Sequence, residues 1–195
     1  FIKELSKNYP VCIFNFKADY NQNEFVQSSN LKVYDLDEKG LPFNPLEIIF
    51  RGDGYARPVN EIYALRDILK RVYKTIGAQQ LAALTSAMKL AYENCGIDLT
   101  GRVKKEDIQN YPVFSDVQNI LQSDADNTNL LNYLTPLFDL GLFPTSSEDS
   151  ISFRELINDK VVLDFTNIEN DEVKQTIAEM IILRLHKLIL TGEQP

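Results

Sequence analysis

The residues best suited to phosphate chemistry are the close glycines of Arg51-Gly52-Asp53-Gly54, which follow an apolar run at residues 48–50. A phosphate-binding loop needs a glycine-rich turn whose backbone N–H groups surround the phosphates. It also needs a following Lys and a hydroxyl residue for the metal ion. No Lys-Ser/Thr pair follows this turn. We therefore interpret the segment as a bend in a loop and not as a nucleotide site.

Acidic side chains occur in close pairs that could supply oxygen ligands to a metal ion. The pairs are Asp35/Asp37, Asp124/Asp126 and Asp171/Glu172. Hard cations prefer several such oxygens. Each pair, however, lies in a predicted turn or at a predicted helix start, where acids are common. The segment at Asp124 also lacks the glycine and the distal Glu of a calcium loop, so we predict no metal site.

Two further side chains have chemical potential. Asp164 ends an apolar run, a position from which an acid can coordinate magnesium in phosphoryl-transfer enzymes, but Thr166 follows where a second acid could stand. His186, the single histidine, lies between Arg184 and Lys187 in a predicted helix. No Ser, Cys or acid lies near it at the spacing of a nucleophile motif. We interpret it as a residue on a helix face.

The composition narrows the class of partner and the compartment. A formal net charge of −8 and a pI near 4.7 oppose a primary role in holding a phosphate backbone, because nucleic-acid affinity comes largely from clustered Lys and Arg. Cys12 and Cys95 lie far apart and without zinc-site spacing, which indicates two reduced thiols and a cytoplasmic location. The apolar run at residues 180–183 is far too short to cross a bilayer, so no membrane partner is expected.

The pattern along the chain predicts an α/β fold that is mainly helical. Residues 11–16 and 161–165 are continuous apolar runs typical of buried parallel strands, and residues 31–36 alternate as a third strand. The prolines at 42 and 45 predict a fixed loop. Four amphipathic helices are predicted between residues 58 and 145, the first capped by Asn60, and Asn170 is predicted to cap a long final helix. We thus predict an all-α insertion at 58–145 between two parts of one α/β core, at 1–57 and 146–195.

Four segments, read in order, resemble the ATPase core of HerA/FtsK-type DNA motors and the related conjugation ATPases of type IV secretion. They are residues 11–20, 41–46, 57–62 and 161–168. In that family a strand after the Walker A helix ends in a pattern like Asp-x-Lys-Gly-Glu-Tyr. Residues 15–20, with the sequence NFKADY, are similar to it. Asn15 stands where the family has its first acid, so a metal-related role is not carried over to that position.

The resemblance implies a partial P-loop NTPase sheet. It implies that Walker A lies upstream of Phe1 and Walker B downstream of Pro195, so that this chain alone is inactive. ATP and magnesium are implied for the intact protein, with neither cofactor expected to bind this fragment. Asp19 occupies the place of the family's second acid and is the candidate catalytic residue, while Lys17 is the candidate cofactor-binding residue.

The implied function is that of an ATP-driven DNA translocase or helicase-like motor, with a DNA restriction or defence system as a narrower option. DNA would be the partner of the intact motor, which in this family is commonly a hexamer, and not of this fragment. The alternative is a non-enzymatic helical domain for protein–protein interaction or regulation. A Gly-x-x-x-x-Gly-Lys-Ser/Thr motif upstream would favour the motor.

Overall fold

The computed structural model describes residues 1–191. Its strands are β1 (Val11–Asn15), β2 (Lys32–Asp35), β3 (Tyr55–Ala56), β4 (Val103–Lys104) and β5 (Lys160–Asp164). Its helices are α1 (Ile2–Asn8), α2 (Asn23–Ser29), α3 (Leu36–Lys39), α4 (Pro58–Val72), α5 (Ala78–Asn94), α6 (Phe114–Gln122), α7 (Thr128–Asp139), α8 (Phe153–Ile157) and α9 (Asp171–Leu190).

Three strands form a parallel sheet in the order β1-β5-β2. The centre is β5, whose Val161, Val162 and Leu163 are fully buried, as the continuous apolar run predicts for a strand covered on both faces. Asn15 at the end of β1 and Asp35 at the end of β2 both lie in register with Asp164 at the end of β5. The α/β fold predicted from the sequence is confirmed, and the chain is mainly helical around this small sheet.

The loop that leaves the sheet at residues 40–46 is held on several sides. Gly40 has φ 71°, and a Cβ atom there would lie 2.8 Å from the carbonyl oxygen of Leu142, so only glycine fits. The Asn44 side chain donates to the carbonyl of Pro112 and accepts from the N–H of Leu46. The Tyr92 hydroxyl donates to the Leu46 carbonyl over 2.5 Å. The predicted fixed loop is therefore confirmed.

The helical segment packs directly against the last helix of the chain. Helix α4 lies against α9, and two ion pairs join them: Lys187 with Glu61, over 2.5 Å, and Arg71 with Glu179. Residues from all three predicted parts share one hydrophobic core cluster, including Phe43, Met88 and Ile177. The proposed division of the chain at residues 58 and 146 stays a prediction.

Several local features differ from the predictions. Helix α4 begins at Pro58 with Arg57 as its N-cap, so the prediction of Asn60 as the cap was wrong. Proline is well suited to the first turn of a helix because its missing N–H has no intrahelical partner there. The short α2 and the antiparallel pair β3/β4 were not predicted, and one turn of helix, α3, forms where a turn was expected.

Candidate functional site

The carboxyl edge of the parallel sheet concentrates polar side chains around Asp164. This carboxylate is only 4% exposed. Its Oδ1 accepts from the Asn15 amide over 3.2 Å and from the Thr166 hydroxyl and N–H over 2.6 and 3.1 Å. Its Oδ2 accepts from the Asn21 amide over 2.7 Å. Four donors therefore offset the loss of hydration of one buried carboxylate.

Asn15 links this carboxylate to the loop that follows β1. Its Nδ2 donates to Asp164, and its Oδ1 accepts from the N–H groups of Asp19 and Tyr20 over 3.2 and 3.4 Å. Within the loop, Ala18 has φ 58°, in the left-handed region that favours glycine. The loop therefore turns sharply at the position where the family pattern has Gly, and Asn15 fixes both of its ends.

The two predicted site residues lie in this loop. Lys17 and Asp19 are exposed and follow β1 at the carboxyl edge of the sheet. Phe16, which is 46% exposed, stacks on the buried Phe165 at a centroid distance of 4.7 Å and so attaches the loop to the end of β5. The roles of Lys17 and Asp19 toward a nucleotide stay predictions.

Asp35, the third side chain at this edge, is mainly structural. Its Oδ1 accepts from the N–H groups of Asp37 and Glu38 and so caps the short helix α3. Its Oδ2 accepts from the Asn167 amide over 3.4 Å. The acid pair Asp35/Asp37 therefore belongs to a helix cap, as carboxylates at such positions commonly do.

Whether this edge could bind magnesium depends on which of its oxygen atoms are free to coordinate a cation. Asp164 Oδ1 already accepts three hydrogen bonds, and the amides of Asn15 and Asn21 present N–H groups, which a cation cannot use. Across residues 1–191, no group of three or more His, Cys, Asp or Glu residues could hold a metal ion. The hydrogen bonds around Asp164 therefore occupy the Oδ1 atom that a cation would use.

The other candidates from the sequence lie on a helix face, at helix starts or in a turn. His186 is exposed on α9. Asp124 caps a single 3₁₀ turn by accepting from the N–H of Asp126, and Asp171 lies in the first turn of α9, which Asn170 caps as predicted. The Arg51–Gly54 segment forms a turn in which the Gly54 N–H donates to the Arg51 carbonyl. No helix within residues 1–191 is long and apolar enough to cross a bilayer.

Sequence reasoning missed Asn21 in the cluster around Asp164. The Thr166-Asn167 pair after the strand is visible in the sequence, but Asn21 is 143 positions away from Asp164 and belongs to no motif. Only the adjacency of β1 and β5 brings the two together. A polar residue shortly after an apolar strand run was the one signal that could have pointed to Asn21.

Comparisons with known proteins add a likeness of fold. No protein-family model matches the chain, and no curated protein matches it in sequence. Among solved structures, VirB4 of Thermoanaerobacter pseudethanolicus superposes with a TM-score of 0.68 at 18% sequence identity. The match covers 97% of this chain and 51% of VirB4, so the chain spans about half the length of that protein. At this identity the comparison shows that the two chains share a fold.

Proposed function

We propose that this chain is part of an ATP-driven motor of the HerA/FtsK and conjugation-ATPase type. The observation that carries the proposal is the carboxyl edge of the sheet, where the loop resembling the family pattern and Asp164 meet on adjacent parallel strands. Ligands of open α/β sheets bind at this edge. The fold shared with VirB4, a conjugation ATPase, over nearly the whole chain supports the same conclusion.

In this proposal the chain contributes part of the sheet that faces the nucleotide. Lys17 and Asp19 lie in the exposed loop after β1. In the proposal Lys17 contacts the nucleotide and Asp19 is the catalytic residue. Asn15 and Asp164 hold that loop in place and do not bind the metal ion. The Walker elements, ATP and magnesium belong to the remainder of the intact protein, which would work in the cytoplasm as a homo-oligomer such as a hexamer.

DNA would be moved by the intact motor and not held by this chain. The chain carries 28 acidic and 20 basic residues. Such a balance repels a polyanion except where basic side chains cluster. The helical segment at 58–145 would instead contact neighbouring subunits or other proteins. A restriction or defence system remains one setting in which such a motor would act.

The test is ATP hydrolysis by the complete protein, measured with and without DNA. We expect DNA-stimulated hydrolysis that falls by at least about tenfold in Lys17→Gln and in Asp19→Asn, while the exposed control Asp139→Asn retains its rate. Absence of hydrolysis under both conditions would refute the motor. Full activity in both loop variants would leave the motor standing but would refute the assigned site residues.

The 195-residue chain alone should show no nucleotide binding by calorimetry, because its sequence contains no phosphate-binding loop. Tight ATP binding by this chain would contradict the proposal.

The rival function is a helical interaction or regulatory domain. It is favoured by the large apolar side chains that the helical segment exposes, namely Leu90, Tyr133, Leu140 and Tyr63. Isolated exposed apolar residues are common on protein surfaces, so we rank this function second. A complete sequence without a Gly-x-x-x-x-Gly-Lys-Ser/Thr motif upstream of residue 1 would reverse that ranking.

A further inference from the structure

A partly enclosed cavity of about 180 Å³ lies near the amino ends of the strands, away from the edge that carries Asp164. Its wall is formed by the loop at residues 47–54, by the start of α8 and by the last turns of α9. Helix α8 directly precedes β5, and α9 runs back from the carboxyl edge, so both place their residues at the opposite end. The cavity is therefore separate from the candidate site described above.

The charge of this cavity is opposite to that of the chain. Among residues 1–191 its lining includes four basic side chains and one acidic side chain, namely Arg51, Lys105, Arg154, Arg184 and Glu47. Two acids that adjoin this lining are engaged with other cations, since Asp53 pairs with Arg102 over 2.5 Å and Glu106 pairs with Lys104 over 3.2 Å. A net positive cavity in a chain of net charge −8 favours an anionic ligand.

Arg184 is the most buried of these cations, at 2% exposure. Its Nη1 donates to the carbonyls of Pro45 and Glu47 over 3.0 and 2.9 Å, and its Nη2 donates to Glu47 Oε2 over 3.0 Å. Its Nε–H has no hydrogen-bond partner. Buried donors are nearly always satisfied, so this shielded and unpaired donor, on a side chain that lines the cavity, is unusual.

The cavity also offers an apolar wall and a neutral donor. Phe153, whose ring lies 5.2 Å from the Arg184 guanidinium carbon, lines it together with Leu188. Tyr111 lines it as well, and burial, reinforced by the charge of Glu47, raises the pKa of Tyr111 to about 12. Its hydroxyl therefore stays protonated at neutral pH and can donate a hydrogen bond.

We infer that this cavity binds a small organic carboxylate, with its apolar stem against Phe153 and its charged end toward Arg51, Lys105 and Arg184. A cavity of roughly 150 Å³ can hold benzene, whereas sites for drug-sized molecules measure roughly 300–1,000 Å³. The 180 Å³ found here thus suits a single ring or short chain with one carboxylate. The carboxylate can belong to a free acid or to the C-terminal residue of a peptide.

The probe is benzoate, titrated into the 195-residue chain and followed by NMR at the Arg184 Nε–H and the Gly52 and Gly54 amides. Benzamide, which has the same shape without the charge, is the matched control ligand. We expect benzoate to shift these signals and to bind about tenfold more tightly than benzamide, as charge-assisted hydrogen bonds are stronger than neutral ones. Equal binding of the two ligands would overturn the inference.

The protein variant combines Arg51→Gln with Lys105→Gln, since both side chains are exposed at the rim and their loss should not disturb the core. Benzoate affinity should fall by about tenfold with benzamide affinity unchanged, and the exposed control Lys74→Gln should behave as the parent chain does. Unchanged benzoate affinity in the double variant, or no benzoate binding at all, would refute the site.

A further binding experiment distinguishes a free acid from a peptide C-terminus as the source of the carboxylate. A short peptide that ends in Phe is compared with the same peptide amidated at its C-terminus. Tighter binding of the free-carboxylate peptide than of benzoate assigns the cavity to a chain terminus, and weaker binding assigns it to a free acid. Both of these results support a carboxylate site. A carboxylate site would be excluded if the free and amidated peptides bound equally and benzoate and benzamide also bound equally.

Discussion

Asn15 and Asp164 lie in register at the carboxyl ends of β1 and β5, and the Asn15 amide donates to the Asp164 carboxylate over 3.2 Å. An acid at position 15, as the resembled family has, would place two carboxylates side by side in a buried setting. Asn15 instead supplies a donor to one partner and an acceptor to the loop after β1. The pair thus joins the sheet to the loop through direct hydrogen bonds.

The substitution Asn15→Asp should therefore destabilise the chain. It removes the donor to Asp164 and introduces like charges at hydrogen-bond distance, which together should cost roughly 2–3 kcal/mol at neutral pH. Urea unfolding measures the loss. In mild acid the introduced carboxyl becomes protonated and the deficit relative to the parent chain should shrink.

Asn132→Asp is the control for that substitution, because Asn132 is exposed on α7. Its stability should stay within about 0.5 kcal/mol of the parent, as for most surface changes. A neutral effect of Asn15→Asp would mean that a cation or a rearranged loop accommodates both acids, contrary to the contacts described here.

The loop after β1 offers a second test at Ala18, which has φ 58°. A left-handed backbone costs a residue with a side chain roughly 1–2 kcal/mol, whereas glycine adopts it freely but loses more entropy on folding. Ala18→Gly should therefore stabilise the chain by up to about 1 kcal/mol, seen as a higher midpoint in thermal or urea unfolding.

The same change from alanine to glycine should lower the stability of the chain when it is made inside a helix. Ala82 is exposed within α5, so Ala82→Gly should destabilise by about 1 kcal/mol. If both substitutions lowered stability equally, the backbone at position 18 would not be left-handed, and the similarity of residues 15–20 to the family pattern would lose its structural support.

The sequence was informative where a pattern is local. The apolar runs at 11–16 and 161–165 predicted the two adjacent strands, and Asn170 predicted the start of α9. The prediction that the first run is a buried strand was wrong, because β1 lies at one edge of the three-stranded sheet and is mostly half-buried. Helix α2 was missed because its seven residues, from Asn23 to Ser29, are largely polar and carry too short an apolar stripe. Helix α4 begins ahead of the predicted cap because Pro58 is favoured in the first turn of a helix.

Features that depend on distant partners could not be predicted. Arg184 lies among apolar residues of α9, and no neighbouring residue predicts that it is buried. Its guanidinium donates to the carbonyls of Pro45 and Glu47, which lie more than 130 positions away in the sequence. The cluster around Asp164 has the same origin, since Asn21 reaches it only through strand pairing. One sequence contains the residue types of such sites but not their juxtaposition.

The ion pair between Arg184 and Glu47 provides a third prediction. The two groups are 3.0 Å apart, with side-chain exposures of 3% and 21%, and Glu47 also accepts from the N–H of Phe153. Glu47→Ala leaves a buried cation without its counter-charge and an N–H at the start of α8 without its acceptor. We expect a loss of roughly 3 kcal/mol in urea unfolding.

An exposed ion pair serves as the comparison. Glu4 pairs with Lys7 over 2.8 Å, and both side chains are largely in solvent, where water and salt screen their attraction. Glu4→Ala should leave the unfolding midpoint unchanged within error. Equal effects of the two substitutions would show that Arg184 is not buried as described.

Cys12 provides a prediction on pH. Burial raises the pKa of its thiol to about 11, from an ordinary value of 9.0. Below pH 9 the thiol is neutral in both the folded and the unfolded chain, and its contribution to stability is complete. As pH rises from 9 to 11, the unfolded chain loses its proton first, so stability falls across this window.

The free energy of unfolding should fall by roughly 2–3 kcal/mol because of Cys12, since each pKa unit corresponds to about 1.4 kcal/mol. Burial also raises the pKa values of Tyr92 and Tyr111, so the whole chain loses stability at alkaline pH for more than one reason. The difference between the parent and Cys12→Ala, measured by urea unfolding at each pH, isolates the thiol. The two curves should converge between pH 9 and 11, because the variant has no thiol to ionise, and parallel curves would mean that Cys12 is solvated in the folded chain.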